Sequence, residues 1–162
     1  EKNNLYESVY HIPCVISMPW KNIQERRCNT WINVVDFAPT LAGMMEIPYP
    51  FQVQGRDLST HLLENRKTEQ VLYIHPSDVP ILTPEFELAY VGKGWCEEEF
   101  HDHILFDMRK DPLQMTNVFG KPEYAEVQRT LTEKIRKHFE EIGTPKKFLP
   151  KEVWTVEEKD GN

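Results

Sequence analysis

Between residues 122 and 142, apolar side chains recur three or four positions apart, at Tyr124, Val127, Leu131, Ile135, Phe139 and Ile142. That spacing puts them on one face of an α-helix. Pro122 and Glu123 suit its start, and Gly143 and Pro145 suit its stop. A helix with a single apolar stripe must lie on another layer. The stretches 71–74, 86–91 and 104–107 supply one: three strand-like pieces joined by Pro, Gly and Asp turns, predicting a small antiparallel sheet.

The first third of the chain reads differently. Residues 12–18 are short, apolar and punctuated by Pro13 and Pro19, which predicts a buried strand with Cys14 as a small buried hydrophobe. Residues 31–36 are rich in β-branched side chains and predict a second strand. It runs directly into a helix with Asp36 as N-cap and Pro39 in the first turn. Strand followed at once by helix is the pattern of an α/β layer. Residues 46–57, with Pro48, Pro50 and Gly55, read as a loop, and residues 58–63 as a short helix. The polar run 64–70 divides the chain into 1–66 and 67–162.

Composition narrows the function. Of 162 residues, 19 are Lys or Arg and 26 are Asp or Glu, giving a net charge of −7. This argues against a nucleic-acid partner, which calls for a clustered basic face. No apolar run reaches the roughly 18 residues of a membrane-spanning helix, so no membrane partner is expected. Three cysteines without a C-x-x-C pair exclude a zinc ribbon and a complete disulfide framework. The first residue is Glu1, with no charged and apolar leader after it, so a piece of a longer chain is expected. Compartment stays open.

One cluster invites a metal. His101, Asp102 and His103 follow Glu97, Glu98 and Glu99, and two histidines at i and i+2 share a strand face. Asp102 then points away, and the position suits a hairpin connection, so a solvated surface turn is the favoured reading.

A series of short motifs carries more. Lys2 leads to Tyr6, Glu7, Ser8, Val9, Tyr10, His11, Ile12 and Pro13, followed by Met18-Pro19-Trp20-Lys21. Next come Val35-Asp36-Phe37-Ala38-Pro39-Thr40-Leu41 with Ile47-Pro48, then Gln54-Gly55-Arg56-Asp57-Leu58. Leu105-Phe106-Asp107-Met108, Asp111-Pro112 and Asn117-Val118 close the series. In order and spacing these resemble the C-terminal part of a sulfatase of the alkaline-phosphatase superfamily. The corresponding patterns there are K-x-x-x-Y-E-E-S-x-R-x-P, W-P-G-K, V-D-L-A-P-T-L, Q-G-R-S-L and L-Y-D-L-x-x-D-P-x-E-x-x-N-L.

The resemblance implies an α/β fold of which this chain is a C-terminal fragment. It would hold the closing strands and helices of a large mixed sheet, plus the small antiparallel sheet packed by the long helix. It implies hydrolysis of a sulfate ester through a formylglycine nucleophile and a divalent cation, usually calcium, whose ligands lie outside this chain. Ser17-Met18-Pro19-Trp20-Lys21 is a false match to the nucleophile signature S/C-x-P-x-R, because Lys21 stands where Arg is required and a strand precedes it.

By the same resemblance Lys2 contacts the sulfate and assists the leaving oxygen. His11 stands where many members have Arg, near the pocket rim or in the core. Trp95, His101 and His103 could reach the pocket mouth. Asp36, Arg56 and Asp57 are architecture: a helix cap and a loop lock. The implied partners are a sulfated small molecule or glycan and the N-terminal catalytic portion of the same protein. Two alternatives stand beside this reading: a phosphate or phosphonate ester hydrolase of the same superfamily, and a non-catalytic binding module. Produced alone, residues 1–162 are expected to be insoluble or partly molten and inactive, because their strands would lack neighbours.

Overall fold

A computed structural model describes residues 6–7, 11–66, 71–73, 79–91 and 103–154. The chain divides into two compact units, Glu1–Gln70 and Val71–Asn162.

The first unit contains helices α1 (Val34–Met44) and α2 (Ser59–Glu64), which pack on each other, and a 3₁₀ turn at Pro19–Lys21. Helix α1 begins inside the stretch expected to be a strand. Asn33 is its N-cap, and Asp36, three residues on, accepts the Asn33 amide at 3.2 Å in a capping box. This local cap outweighs the β-preference of Val34 and Val35, because each capping bond satisfies an otherwise orphaned helix donor. Asp36 is therefore the third helical residue and not the cap. Pro39 is the sixth residue and lies inside the helix rather than in its first turn. Lacking an N–H, it cannot bond the carbonyl of Val35.

Residues 12–18 form no strand, and Cys14 is exposed rather than buried. The physical reason is that a strand exists only through its ladder, and no described residue offers these amides a partner. Val15 is 94% exposed and Ile12 67%. Of the large apolar side chains exposed among the described residues, all but Leu113 and Met115 belong to this first unit.

The second unit is a four-stranded antiparallel sheet in the order β1 (Leu72–Tyr73), β2 (Val79–Leu82), β3 (Phe86–Tyr90) and β4 (Ile104–Asp107). Leu72 pairs with Leu82, Ile81 with Leu88, and Leu88 with Leu105. Strand β2 lies where the sequence reading placed none. Pro80, opposite Ala89, hides it from a propensity reading. It is tolerated because the described β1–β2 pairing ends at Ile81, so the missing N–H breaks no described rung there.

Helix α3 (Ala125–Glu141), preceded by a 3₁₀ turn at Pro122–Tyr124, lies on β2 and β3. Its expected stripe is the one that packs. Leu131, Ile135 and Phe139 are fully in the core with Ile81, Leu88 and Leu105, and Tyr124, Val127 and Ile142 border it. Each such full burial contributes about 1.5–3 kcal/mol. After α3, two 3₁₀ turns at Lys146–Phe148 and Lys151–Val153 return the chain, burying Leu149 and Val153. Buried Arg136 holds this return by donating from Nε and Nη2 to the Val153 carbonyl, each at 3.4 Å. No described helix is long and apolar enough to cross a membrane.

Candidate functional site

In the first unit the chemistry-bearing side chains are spent on holding a loop. Buried Asp36 accepts the Arg56 amide at 2.8 Å on Oδ1 and the Arg56 guanidinium at 3.2 Å on Oδ2. Thr40 Oγ1 donates to the Arg56 carbonyl at 3.2 Å and accepts the Leu58 amide at 3.0 Å. Asp57 Oδ1 accepts the Ser59 amide at 2.8 Å, at the start of α2. The roles of loop lock for Arg56 and of architecture for Asp36 and Asp57 are thus visible as bonds. Gly55 completes the lock: a Cβ there would be driven into the Val35 carbonyl, the same carbonyl that Pro39 leaves without its helical donor. Lys21 of the 3₁₀ turn pairs with Glu46 beyond the end of α1, and this bond lowers the Glu46 carboxyl below its ordinary range.

Of the residues expected at the substrate pocket, Lys2 and His101, together with Trp95, lie outside the described residues. His11 is described and exposed; its Nδ1 meets Glu7 Oε1 at 3.0 Å, four residues back. His103 belongs to the second unit, immediately before β4. Its Nδ1 accepts the Val91 amide at 3.1 Å, which places the ring proton of the neutral form on Nε2, 3.8 Å from Glu152. The ring packs edge-on against Tyr90, centroids 5.2 Å apart, and tilted against Phe119. Neighbouring Tyr90 bonds Thr132 at 2.7 Å, and its burial pushes the phenol upward from its ordinary range.

The motif from Leu105 to Val118 is a fastening. Buried Asp107 receives Arg109 through Nε and Nη2, both at 3.0 Å, and the Tyr124 hydroxyl at 3.3 Å. The bonded Arg109 side chain holds its carboxyl at about 2, against an ordinary 3.8. Arg109 in turn lies 4.4 Å over the Phe86 ring. Asp111 accepts the Thr116 amide at 2.6 Å. Asn117 accepts the amides of Leu105 and Phe119 at 3.0 Å and donates to the His103 carbonyl at 2.9 Å. Beside it Val118 N–H bonds the Leu105 carbonyl at 2.8 Å.

A buried polar pair was missed by the sequence reading. Gln114, which stands at the Glu of the D-P-x-E pattern, donates from Nε2 to Glu87 in the middle of β3. Both are buried. A glutamate flanked by Phe86 and Leu88 in a wholly buried strand was the available signal, since a buried carboxylate demands a donor.

Among the described residues no group of three or more His, Cys, Asp or Glu side chains is placed to hold a metal ion.

No family model matches the chain. It is 31% identical over 146 residues to the N-acetylglucosamine-6-O-sulfatase of Bacteroides thetaiotaomicron, spanning 81% of this chain and 25% of that protein. The chain matches the C-terminal part of a sulfatase. Two further relatives agree: an ulvan-active sulfatase of Formosa agariphila (28% over 157 residues; 88% of this chain, 29% of the relative) and arylsulfatase K of Bos taurus (29% over 150 residues; 83% and 26%). The chain therefore spans 25–29% of the length of these curated relatives.

Solved structures give the same answer. One protein, captured in complex with its substrate D-glucosamine-2-N,6-O-disulfate, superposes with a TM-score of 0.50 at 27% identity, over 65% of this chain and 23% of its own. A 2-O GAG sulfatase reaches a TM-score of 0.54 at 16% identity, over 74% and 28%, which speaks to the fold alone. The small antiparallel sheet and the closing helix expected from the sequence are found, whereas the closing strands of a larger sheet expected at 12–18 and 31–36 are not formed.

Proposed function

We propose that this segment is the C-terminal quarter of a sulfuric ester hydrolase that acts on a sulfated sugar or other small sulfate ester. The observation that carries the reading is the 31% identity over 146 residues to a sulfatase. Formylglycine would supply the nucleophile and a divalent cation such as calcium would supply positive charge, both from outside this chain. The sulfuryl oxygens stay charged through the transition state, so the site needs fixed donors aimed at them. Lys2 is the donor this chain would offer. Its ammonium is a compact point charge on a flexible stem, suited to a sulfate oxygen and able to pass a proton to the departing alcohol.

His11, His101 and His103 would shape the pocket mouth. His103 would do so by fixing Val91, where the chain leaves β3, since its Nδ1 already accepts that amide. The solved neighbour's substrate and the Bacteroides thetaiotaomicron relative's name make sulfated amino sugars the first esters to try.

The test uses the native protein from its source. Its intact mass is measured, then sulfate release from glucosamine 6-sulfate and from an aryl sulfate, with Lys2→Ala alongside. Release of sulfate is expected, with a kcat for Lys2→Ala lowered about 100-fold or more, the ordinary effect of losing one transition-state donor. Release of phosphate from phosphate esters with no sulfate release would replace the reading by the phosphoester one. An unchanged kcat in Lys2→Ala would remove the role given to that residue.

A further inference from the structure

We propose that His103 is a pH-operated latch: neutral, it ties the exit of β3 to the entry of β4, and protonated, it lets go there and grips the C-terminal return. The device would act whatever ester the whole protein cleaves. The last β3–β4 pair described is Ala89–Ile104. Just past β3 the Val91 N–H donates to the His103 ring at Nδ1, 3.1 Å away. A ring nitrogen accepts only while it carries no proton. Once charged, the ring has an N–H on both nitrogens, and Nδ1 would face Val91 donor to donor. The opposite nitrogen, Nε2, lies 3.8 Å from Glu152 Oε1 in the Lys151–Val153 turn. Charging the ring draws that carboxylate in. One proton therefore loosens the end of β3 and tightens the return after α3. The ring is 24% exposed, so protons reach it from solvent.

The surroundings make this ring both the part that moves and the part that changes charge. Asn117 Nδ2 fixes the His103 carbonyl at 2.9 Å, and Tyr90 and Phe119 wall the ring, each with its centroid 5.2 Å away. A change of partner is thus a rotation of the side chain, with the start of β4 held. Tyr90 stays uncharged, because its phenol bonds Thr132 and burial pushes it upward. Arg136 of α3 keeps its charge, bonded to the Val153 carbonyl and, through Nη1, to Glu133 at 3.0 Å. Histidine, by contrast, changes charge between about pH 5 and 8.

Residue-resolved hydrogen exchange on the native protein tests this at about pH 8 and about pH 5, with the charge of the His103 ring followed by NMR. After correction for intrinsic rates, Val91 should lose about 3- to 10-fold of its protection on acidification, the worth of one hydrogen bond. Leu88, in the middle of β3, should keep its own, and the Trp154 amide, bonded to the Lys151 carbonyl, should gain. His103→Asn, whose Oδ1 can take the Val91 amide and binds no proton, should make Val91 insensitive to pH. Glu152→Gln should abolish the gain at Trp154 and let Val91 hold into more acid solution. Equal protection of Val91 at both pH values with a ring that charges overturns the proposal, as does a ring that stays neutral at the acid end. So does a loss shared with Leu88, which would be general loosening, or a loss that persists in His103→Asn.

Discussion

Replacing Asp107 by Asn keeps an oxygen that can accept from Arg109 and removes the charge. The native carboxyl is held at about 2 by its bonded guanidinium, against 3.8 ordinarily. At 1.36 kcal/mol per pH unit, that gap is worth about 2.5 kcal/mol at most. Arg109 is half exposed and solvent screens it, so about 1–2 kcal/mol is the working figure. The folded-state value is depressed, so the stabilisation is fully present above the unfolded pKa of 3.8. It fades as pH falls through about 2, and about half is gone by pH 3. The assay is the protection factor of the Leu105 and Phe106 amides in β4, compared between Asp107→Asn and wild type in the native protein. At pH 7 the variant should lose roughly 5- to 30-fold of protection. At pH 3 the deficit should shrink to about half in free energy. Equal protection at pH 7, or a deficit of the same size at both pH values, would refute the argument.

Other expectations follow from the same bonds. Gln114→Glu sets two buried carboxyls against each other at Glu87; stability should drop by about 2 kcal/mol or more at pH 7 and recover toward pH 4, as a carboxyl takes up a proton. Gly55→Ala must push the loop off the Val35 carbonyl; a lowered melting temperature and faster exchange of the Arg56 and Leu58 amides are expected in the native protein, and unchanged exchange would show that the lock has slack. Asn117→Ala leaves the Leu105 amide and the His103 carbonyl without that side chain, for a loss of about 1–3 kcal/mol by denaturant unfolding. In ¹⁵N spectra the neutral His103 ring should show the Nε2–H tautomer; the Nδ1–H form would contradict the Val91 bond.

What was legible in the sequence was what neighbours along the chain decide. The α3 stripe needs only i, i+3 and i+4 spacing, and Tyr124 to Ile142 supplied it without tertiary knowledge. The loop lock was legible for another reason: Asp36, Gly55 and Arg56 belong to motifs whose order resembles a known family. Strands were harder, because their partners are distant. Residues 31–36 have strand propensity, yet Asn33 and Asp36 form a cap within four residues, and the local bond prevails. Strand β2 was hidden by Pro80, tolerable only because the described part of β1 stops short of it. The Glu87–Gln114 pair spans 27 residues and two elements, so no local pattern announces it. Two of the four candidate site residues, Lys2 and His101, fall outside the described residues, while His11 and His103 are seen in ordinary packing and pairing roles.

The Asn117 amide acts, in effect, as one rung of a fifth strand. Its carbonyl takes the N–H of Leu105 and its NH₂ takes the carbonyl of His103, the two groups an incoming chain would otherwise use along the outer side of β4. The sheet's capacity to template another molecule's strand is thus switched off there by a single side chain together with Val118. Conversion of that one amide to a carboxylate would keep the acceptor and turn the donor into a repelling oxygen. A slow chemical change of ageing protein, adding one negative charge, would then reopen a growth face along β4.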